Sequence, residues 1–311
     1  MKLLLLARPR GFCAGVDRAI HIVEGALKKF GSPIYVRHEI VHNQFVVDSL
    51  RNRGAIFVET INEVPEGATV IFSAHGVAAA VYEDAEKRHL RVLDATCPLV
   101  KRVHSSACRH YAEGKHIILI GHSMHAEVEG TVGQLPPGAI TVVRDIRDIQ
   151  NLHFENPGKL AYITQTTLSI AETRNIIAAL REKFPGIKGL EKGDLCYATG
   201  NRQAAVSELC ARVQLLLVVG ASNSSNSSRL RELGEEKGVE SRLIASAADL
   251  RKEWLENIDT VGLSSGASAP EVLVQGVVSW IREAFPEVEV QECVTLEEHT
   301  KFQLPPELAG L

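Results

Sequence analysis

Arg8-Pro9-Arg10-Gly11-Phe12-Cys13-Ala14-Gly15-Val16-Asp17 is the stretch from which the fold can be read. The apolar run before it, residues 2–7, has the length and composition of a buried strand. After it, Val16, Ala19, Ile20, Val23, Ala26 and Leu27 recur at helical spacing. Residues 8–12 therefore make the turn, and Cys13 stands where a strand hands over to a helix. The helix dipole favours an anion at that end, so a thiol there becomes a better thiolate and a better metal ligand. A lone cysteine is otherwise a small buried hydrophobe. The choice between the two depends on whether the chain repeats the arrangement.

It does so twice. Cys97 follows a short strand at 91–95 and precedes Pro98, a residue suited to the first helical turn. Leu99, Val100, Val103, Ala107, Cys108 and Tyr111 form its helical stripe. Cys196 precedes the stripe Ala204, Ala205, Leu209, Cys210 and Val213, although residues 189–195 before it are not a convincing strand. Each cysteine helix leads to an apolar strand, at 33–40, 115–121 and 213–220, and each strand ends in a polar loop, at 41–43, 122–127 and 222–226. The separations from 13 to 43, 97 to 127 and 196 to 226 are equal. Weaker strands follow at 55–58, 140–143 and 241–244. Last strands at 69–72, 160–163 and 260–263 run into small-polar loops at 73–76, 164–169 and 264–270.

This pattern predicts an α/β fold of three small parallel-sheet units with crossover helices. The expected division is 14–97, 98–196, and a third unit made of 1–13 with 197–285, leaving 286–311 as a covering tail. Ligands of open parallel sheets gather at the carboxyl ends of the strands, where all six polar loops fall. A pseudo-three-fold, trefoil-like ring of such units would aim three thiols and six loops at one centre.

Composition narrows the function classes. The 311 residues, 45% of them hydrophobic and 23% charged, suit a globular chain of two or three domains. A net charge of −4 without a basic block argues against a nucleic-acid partner. The leucines at 3–6 resemble the start of a signal peptide, but the run is too short and ends at Arg8 and Arg10. No run has the length of a membrane span. Six cysteines in a chain this long are not a disulfide framework, and a reducing cytoplasm is expected.

The most conspicuous local motif is a decoy. His38-Glu39-Ile40-Val41-His42 matches H-E-x-x-H, but that zinc site requires a helix, and this segment ends a run of strand formers. On a strand the two histidines would stand about 13 Å apart. Three cysteines converging from three units instead suggest an iron–sulfur cluster. Clusters usually have four thiolates, so three would leave one iron open. Cys108 and Cys210 read as core, and Cys293 is assigned nothing.

The loops read as an anion site. Ser224, Ser225 and Asn226 precede a helix, where hydroxyls, an amide and free backbone N–H groups can hold phosphate; a plain Ser/Asn linker is the simpler reading of that stretch alone. Ser268 and Thr166-Thr167 offer the same chemistry. His42, His75 and His125 occur in these loops, whereas lysine and arginine do not, which suggests a protonation-sensitive anion clamp. Glu127 is the only carboxylate in them and the candidate acid. No G-x-G-x-x-G or Walker pattern is present, so redox chemistry would draw electrons from a partner protein.

Residues 9–19 (PRGFCAGVDRA), 35–43 (YVRHEIVHN), 72–77 (FSAHGV), 94–100 (DATCPLV), 164–169 (TQTTLS), 196–199 (CYAT) and 223–227 (NSSNS) together resemble the 4-hydroxy-3-methylbut-2-enyl diphosphate reductase family. The resemblance runs from residue 2 to roughly residue 275. Two departures stand out: the family's His-Pro-Glu appears as His125-Ala126-Glu127, from which a looser hold on Glu127 is expected, and Gly200 replaces a common threonine; neither removes a functional group. The resemblance implies a [4Fe-4S] cluster on Cys13, Cys97 and Cys196, with the substrate hydroxyl on the open iron. It also implies a diphosphate pocket of His42, His75, His125, Ser224, Ser225, Asn226 and Ser268. Thr166 would contact the substrate hydroxyl, and Glu127 would donate the proton. The implied reaction is reductive dehydroxylation to isopentenyl and dimethylallyl diphosphate, the last step of the methylerythritol phosphate route. The implied electron donor is flavodoxin or ferredoxin. Two other readings are a quinolinate-synthase-like [4Fe-4S] dehydratase, which would need no reductant, and a non-enzymatic iron–sulfur redox sensor.

Overall fold

Cys13 is the last residue before a helix. The computed structural model describes residues 1–189 and 195–308, and in it strand β1 (Leu3–Arg8) and helix α1 (Ala14–Phe30) flank the turn that carries this thiol. Three parallel sheets follow. The first has the order β3-β2-β4-β5, from β2 (Ile34–Arg37), β3 (Ala55–Val58), β4 (Thr69–Phe72) and β5 (Arg91–Asp94), with helices α2 (Gln44–Asn52) and α3 (Ala79–Lys87) in its connections. The second has the order β7-β6-β8, from β6 (His116–Ile120), β7 (Ile140–Val143) and β8 (Leu160–Thr164). Its helices are α4 (Pro98–Ala112), α5 (Ala126–Val132), α6 (Ile146–Gln150) and α7 (Ile170–Lys183).

The third sheet has the order β10-β9-β11-β1-β12, from β9 (Leu215–Val219), β10 (Glu240–Ile244), β11 (Thr260–Ser265), the N-terminal strand and β12 (Glu289–Val294). Helices α8 (Tyr197–Cys210), α9 (Ser225–Glu236) and α10 (Glu271–Ala284) belong to it. Every pairing among the described strands is parallel. The fold is α/β, with three parallel-sheet units, as the repeat predicts. The third sheet lies in one compact unit (Met1–Val16, His42–Val46 and Tyr197–Lys301). The other two lie in a second compact unit (Asp17–Val41, Val47–Cys196 and Phe302–Leu311).

Burial on both faces explains why these strands read as unbroken apolar runs. Leu4, Leu6, Leu215 and Leu217 pack against Val274, Val277, Val278 and Ile281 of α10. On the opposite face, Leu5, Leu216 and Val218 pack against Ala205, Val206 and Leu209 of α8 and Leu230 of α9. Each fully buried leucine contributes roughly 1.5–3 kcal/mol of transfer free energy. The second sheet repeats the scheme, with Ile118, Ile120 and Tyr162 against α7, and Ile117, Leu119 and Ile163 against α4 and α5.

The structure corrects two expectations. Residues 286–311 are not simply a covering tail, because β12 pairs along the whole of β1. Glu289, Gln291 and Glu292 are exposed on this edge strand, which gives it an acidic composition unlike the other strands and keeps the sheet edge from recruiting another chain. Cys108 is exposed rather than core. The buried face of α4 runs through Val100, Val103 and Ala107, and the next residue falls outside it. Residues 38–43 contain no helix, so the H-E-x-x-H letters lack the geometry of the zinc motif. Lys188 makes an isolated parallel bridge to Ala161, while residues 190–194, most of the segment before Cys196 that does not read as a convincing strand, lie outside the described residues.

Candidate active site

Every strand of these sheets delivers its carboxyl end to a loop, and the two compact units each carry part of the candidate set. In the unit of the third sheet, Ser224 is the N-cap of α9 and its Oγ accepts from Ser227 N at 3.4 Å. Asn226, 4% exposed, accepts from Ala267 N through Oδ1 at 2.9 Å, and its buried Nδ2 has no partner. A buried amide donor without an acceptor is costly unless a ligand supplies one. It lies in the first turn of a helix whose N–H groups and dipole favour an anion. Ser268 is buried, and its hydroxyl donates to His42 O at 3.0 Å. Gly220 and Gly266 make room for Ser227, since a Cβ on either would stand 2.2 or 2.0 Å from its Oγ. Ser227 in turn bonds Ser224 Oγ at 3.1 Å, a support that the sequence reading missed.

In the other unit, His125 is the N-cap of α5, and its Nδ1 accepts from Glu127 N at 3.1 Å. Its ring lies edge-on to that of His75, with centroids 5.9 Å apart. Glu127 is 3% exposed, and both its oxygens are bound by Thr166: Oε1 accepts from the backbone N–H at 2.7 Å and Oε2 from the hydroxyl at 2.8 Å. Ala126 merely opens α5, so the departure from His-Pro-Glu leaves this grip intact. Below the His75 loop lies His104, whose burial pushes its pKa down to about 4. Gly76 adopts φ +82°, and a Cβ there would meet the His104 ring at 2.8 Å.

Cys13, Cys97 and Cys196 share a local geometry. Each is half-buried and each immediately precedes a helix, α1, α4 and α8 respectively. Each also donates its backbone N–H to the loop after the last strand of the preceding repeat, the third repeat standing before the first. Cys13 bonds Ala267 O at 3.3 Å, Cys97 bonds Ala74 O at 3.0 Å, and Cys196 bonds Thr166 O at 3.1 Å. These acceptors adjoin or include Ser268, His75 and Thr166. The other cysteines differ. Cys210 is buried, with its thiol pushed up to about 11 by desolvation; Cys293 is buried in β12 and Cys108 is exposed. None of the six forms a disulfide. A thiol at a helix start suits a metal-ligating thiolate, although among the described residues no three His, Cys, Asp or Glu side chains are gathered closely enough to hold a metal ion, and the unpartnered Asn226 amide suits an anionic ligand.

The fold is α/β, and the relatives that the chain matches are reductases, which makes it an enzyme of the oxidoreductase class. The chain belongs to the family described as LytB protein, whose model matches residues 4–282. It is 53% identical over 307 residues to the 4-hydroxy-3-methylbut-2-enyl diphosphate reductase of Neisseria gonorrhoeae, covering 99% of this chain and 95% of the relative. To the reductase of the same name from Azotobacter vinelandii it is 55% identical over 306 residues, covering 97% of each. The solved structure of the E-1-hydroxy-2-methyl-but-2-enyl-4-diphosphate reductase from Plasmodium falciparum superposes with a TM-score of 0.95 at 40% identity, over 99% of this chain and 96% of that one. Among the described residues no helix is long and apolar enough to cross a membrane.

Proposed function

We propose that the chain reduces 4-hydroxy-3-methylbut-2-enyl diphosphate to isopentenyl and dimethylallyl diphosphate, the last step of the methylerythritol phosphate route. The relatives' shared name and the grip of Thr166 on Glu127 support this reading, and the grip is the observation that carries it. It holds one buried carboxylate at a strand end, where a leaving hydroxyl would need a proton.

Cys13, Cys97 and Cys196 would hold a [4Fe-4S] cluster. When bound, that group would relay the donor's two electrons one at a time and offer one iron free to polarise the allylic C–O bond as a Lewis acid. Asn226 Nδ2, the hydroxyls of Ser224, Ser225 and Ser268, and His42, His75 and His125 would hold the diphosphate and fix the hydroxyl end by position. Thr166 would touch that hydroxyl while steadying the carboxylate. Glu127 gives its proton to the departing oxygen, which leaves as water. The two electrons and a second proton complete the new C–H bond. The electrons come from an external donor such as flavodoxin or ferredoxin. Six cysteines without a disulfide fit a reducing cytoplasm.

Anaerobic purification with iron and sulfide analysis, followed by an assay with the allylic diphosphate and a chemical reductant, tests the reading. Four irons per chain and reductant-dependent formation of the two products are expected. Turnover without reductant, or a preparation that binds no iron, would overturn it.

A further inference from the structure

Arg202 is the largest fully buried side chain among the described residues, and nothing in the proposed chemistry uses it. It lies on α8 with all its donor atoms engaged. Nε and Nη2 donate to Gly11 O at 3.0 and 2.7 Å, and Nη2 also reaches Phe12 O at 3.2 Å. Nη1 donates to Ala198 O at 3.0 Å. The charge is met by Glu298, whose oxygens lie 3.1–3.3 Å from Nη1 and Nη2, and which also accepts from Asn201 Nδ2 at 2.9 Å. A buried guanidinium is expensive to desolvate, and an apolar side chain of similar volume often stabilises a core as well or better. Where this charge sits is therefore informative. It seizes the two carbonyls directly before Cys13, in a turn where Gly11 adopts φ +67°. The far side of the same turn is held by Ser265 O and Ala267 O, which accept from Gly11 N and Cys13 N.

We propose that Arg202 is a positioning residue for the Cys13 thiol, and that Glu298 of the C-terminal segment orients it. Planar geometry is what the turn demands. A fork of fixed donors can hold two successive carbonyls and a carboxylate together, whereas a lysine ammonium is a single point of charge. A similar device underlies Cys97: Arg18, 9% exposed, donates to Asp94 O at 3.4 Å, Thr96 O at 3.3 Å and Gln303 O at 2.8 Å. In both cases an arginine binds the carbonyl immediately before a cysteine and one further upstream, and a residue of the C-terminal segment completes its set. Removing a group that orients a metal ligand from behind typically costs about 10–100-fold in metal affinity or activity.

This inference rests on Cys13 being a cluster ligand, and the experiment separates the two ideas. Arg202→Lys, Glu298→Gln and Cys13→Ser are purified anaerobically and reconstituted. Iron and sulfide content, the electron paramagnetic resonance spectrum of the reduced protein, and the rate of iron loss in air are then measured. Circular dichroism and calorimetric binding of inorganic pyrophosphate report on the fold and the anion site. Arg202→Lys is expected to keep its fold and bind pyrophosphate, yet lose iron about tenfold faster or more and show an altered spectrum. Glu298→Gln should shift both in the same direction by less, and it decides the matter if Arg202→Lys does not fold. A folded Arg202→Lys with the parent's spectrum and iron retention overturns the positioning role, as does an unchanged Glu298→Gln. Full cluster content in Cys13→Ser overturns the ligand assignment itself.

Discussion

Thr166 engages both oxygens of the Glu127 carboxylate, one through its backbone N–H at 2.7 Å and the other through its hydroxyl at 2.8 Å. Glutamine can reproduce this arrangement by offering its carbonyl to the N–H and its amide to the hydroxyl oxygen. Glu127→Gln should therefore leave cluster content and pyrophosphate binding near normal while turnover falls by roughly 10²–10⁴-fold, the range for loss of a general acid. Near-normal turnover would remove Glu127 from the acid role.

Removing only the hydroxyl of that pair tests the other half. Thr166→Val keeps the backbone donor but removes the hydroxyl from which Oε2 accepts. A hydrogen bond to a charged group is worth roughly 1.5–3 kcal/mol, so turnover should fall about ten- to a hundredfold. Steady-state kinetics on Thr166→Val and Thr166→Ser make the comparison, with the serine variant retaining most activity.

The unpartnered Asn226 amide makes a sharp prediction for anion binding. Asn226→Asp can still accept from Ala267 N, but it replaces the buried donor with an acceptor. Pyrophosphate affinity should drop by about ten- to a hundredfold, with the fold unchanged. Calorimetry that finds equal affinity in both proteins would exclude Nδ2 from the anion site.

Burial of His104 sets an acid limit on stability. Its folded pKa of about 4 lies below the ordinary 6.5, so the unfolded chain binds the extra proton first. Stability from this group is complete above 6.5 and is lost as pH falls toward 4. Asp94, nearby in the chain's charge pattern, is pushed up by burial, yet hydrogen bonds from Lys101 and Thr96 outweigh that and hold it below the usual carboxylate range; its own loss comes at lower pH. Urea midpoints of the parent and His104→Gln between pH 7 and 4 should show a shallower decline in the variant. Parallel declines would assign the acid sensitivity elsewhere.

The sheets were legible because strands buried on both faces write themselves as apolar runs, and the strand-end loops because they interrupt those runs with small polar residues. Glu127 stood out as the only carboxylate in those loops, and Thr166 as a hydroxyl in another of them, but their pairing did not, since it joins two different strand ends. Arg202 and Arg18 were invisible for a different reason. Their partners are largely main-chain carbonyls, which leave no letter in the sequence. β12 was missed because an acidic edge strand lacks the apolar signature, and Cys108 was misplaced by one step of helical phase.

The bonds from Cys13, Cys97 and Cys196 to the carbonyls of Ala267, Ala74 and Thr166 run entirely through main chain. They are therefore indifferent to which side chains occupy positions 74 and 267, but not to how many residues the loops contain. A single insertion or deletion in loop 73–76, 164–169 or 264–270 would slip the pairing and move a thiol together with its neighbouring hydroxyl or imidazole. Spelling within these loops can drift at such positions; their length is what the chemistry holds fixed.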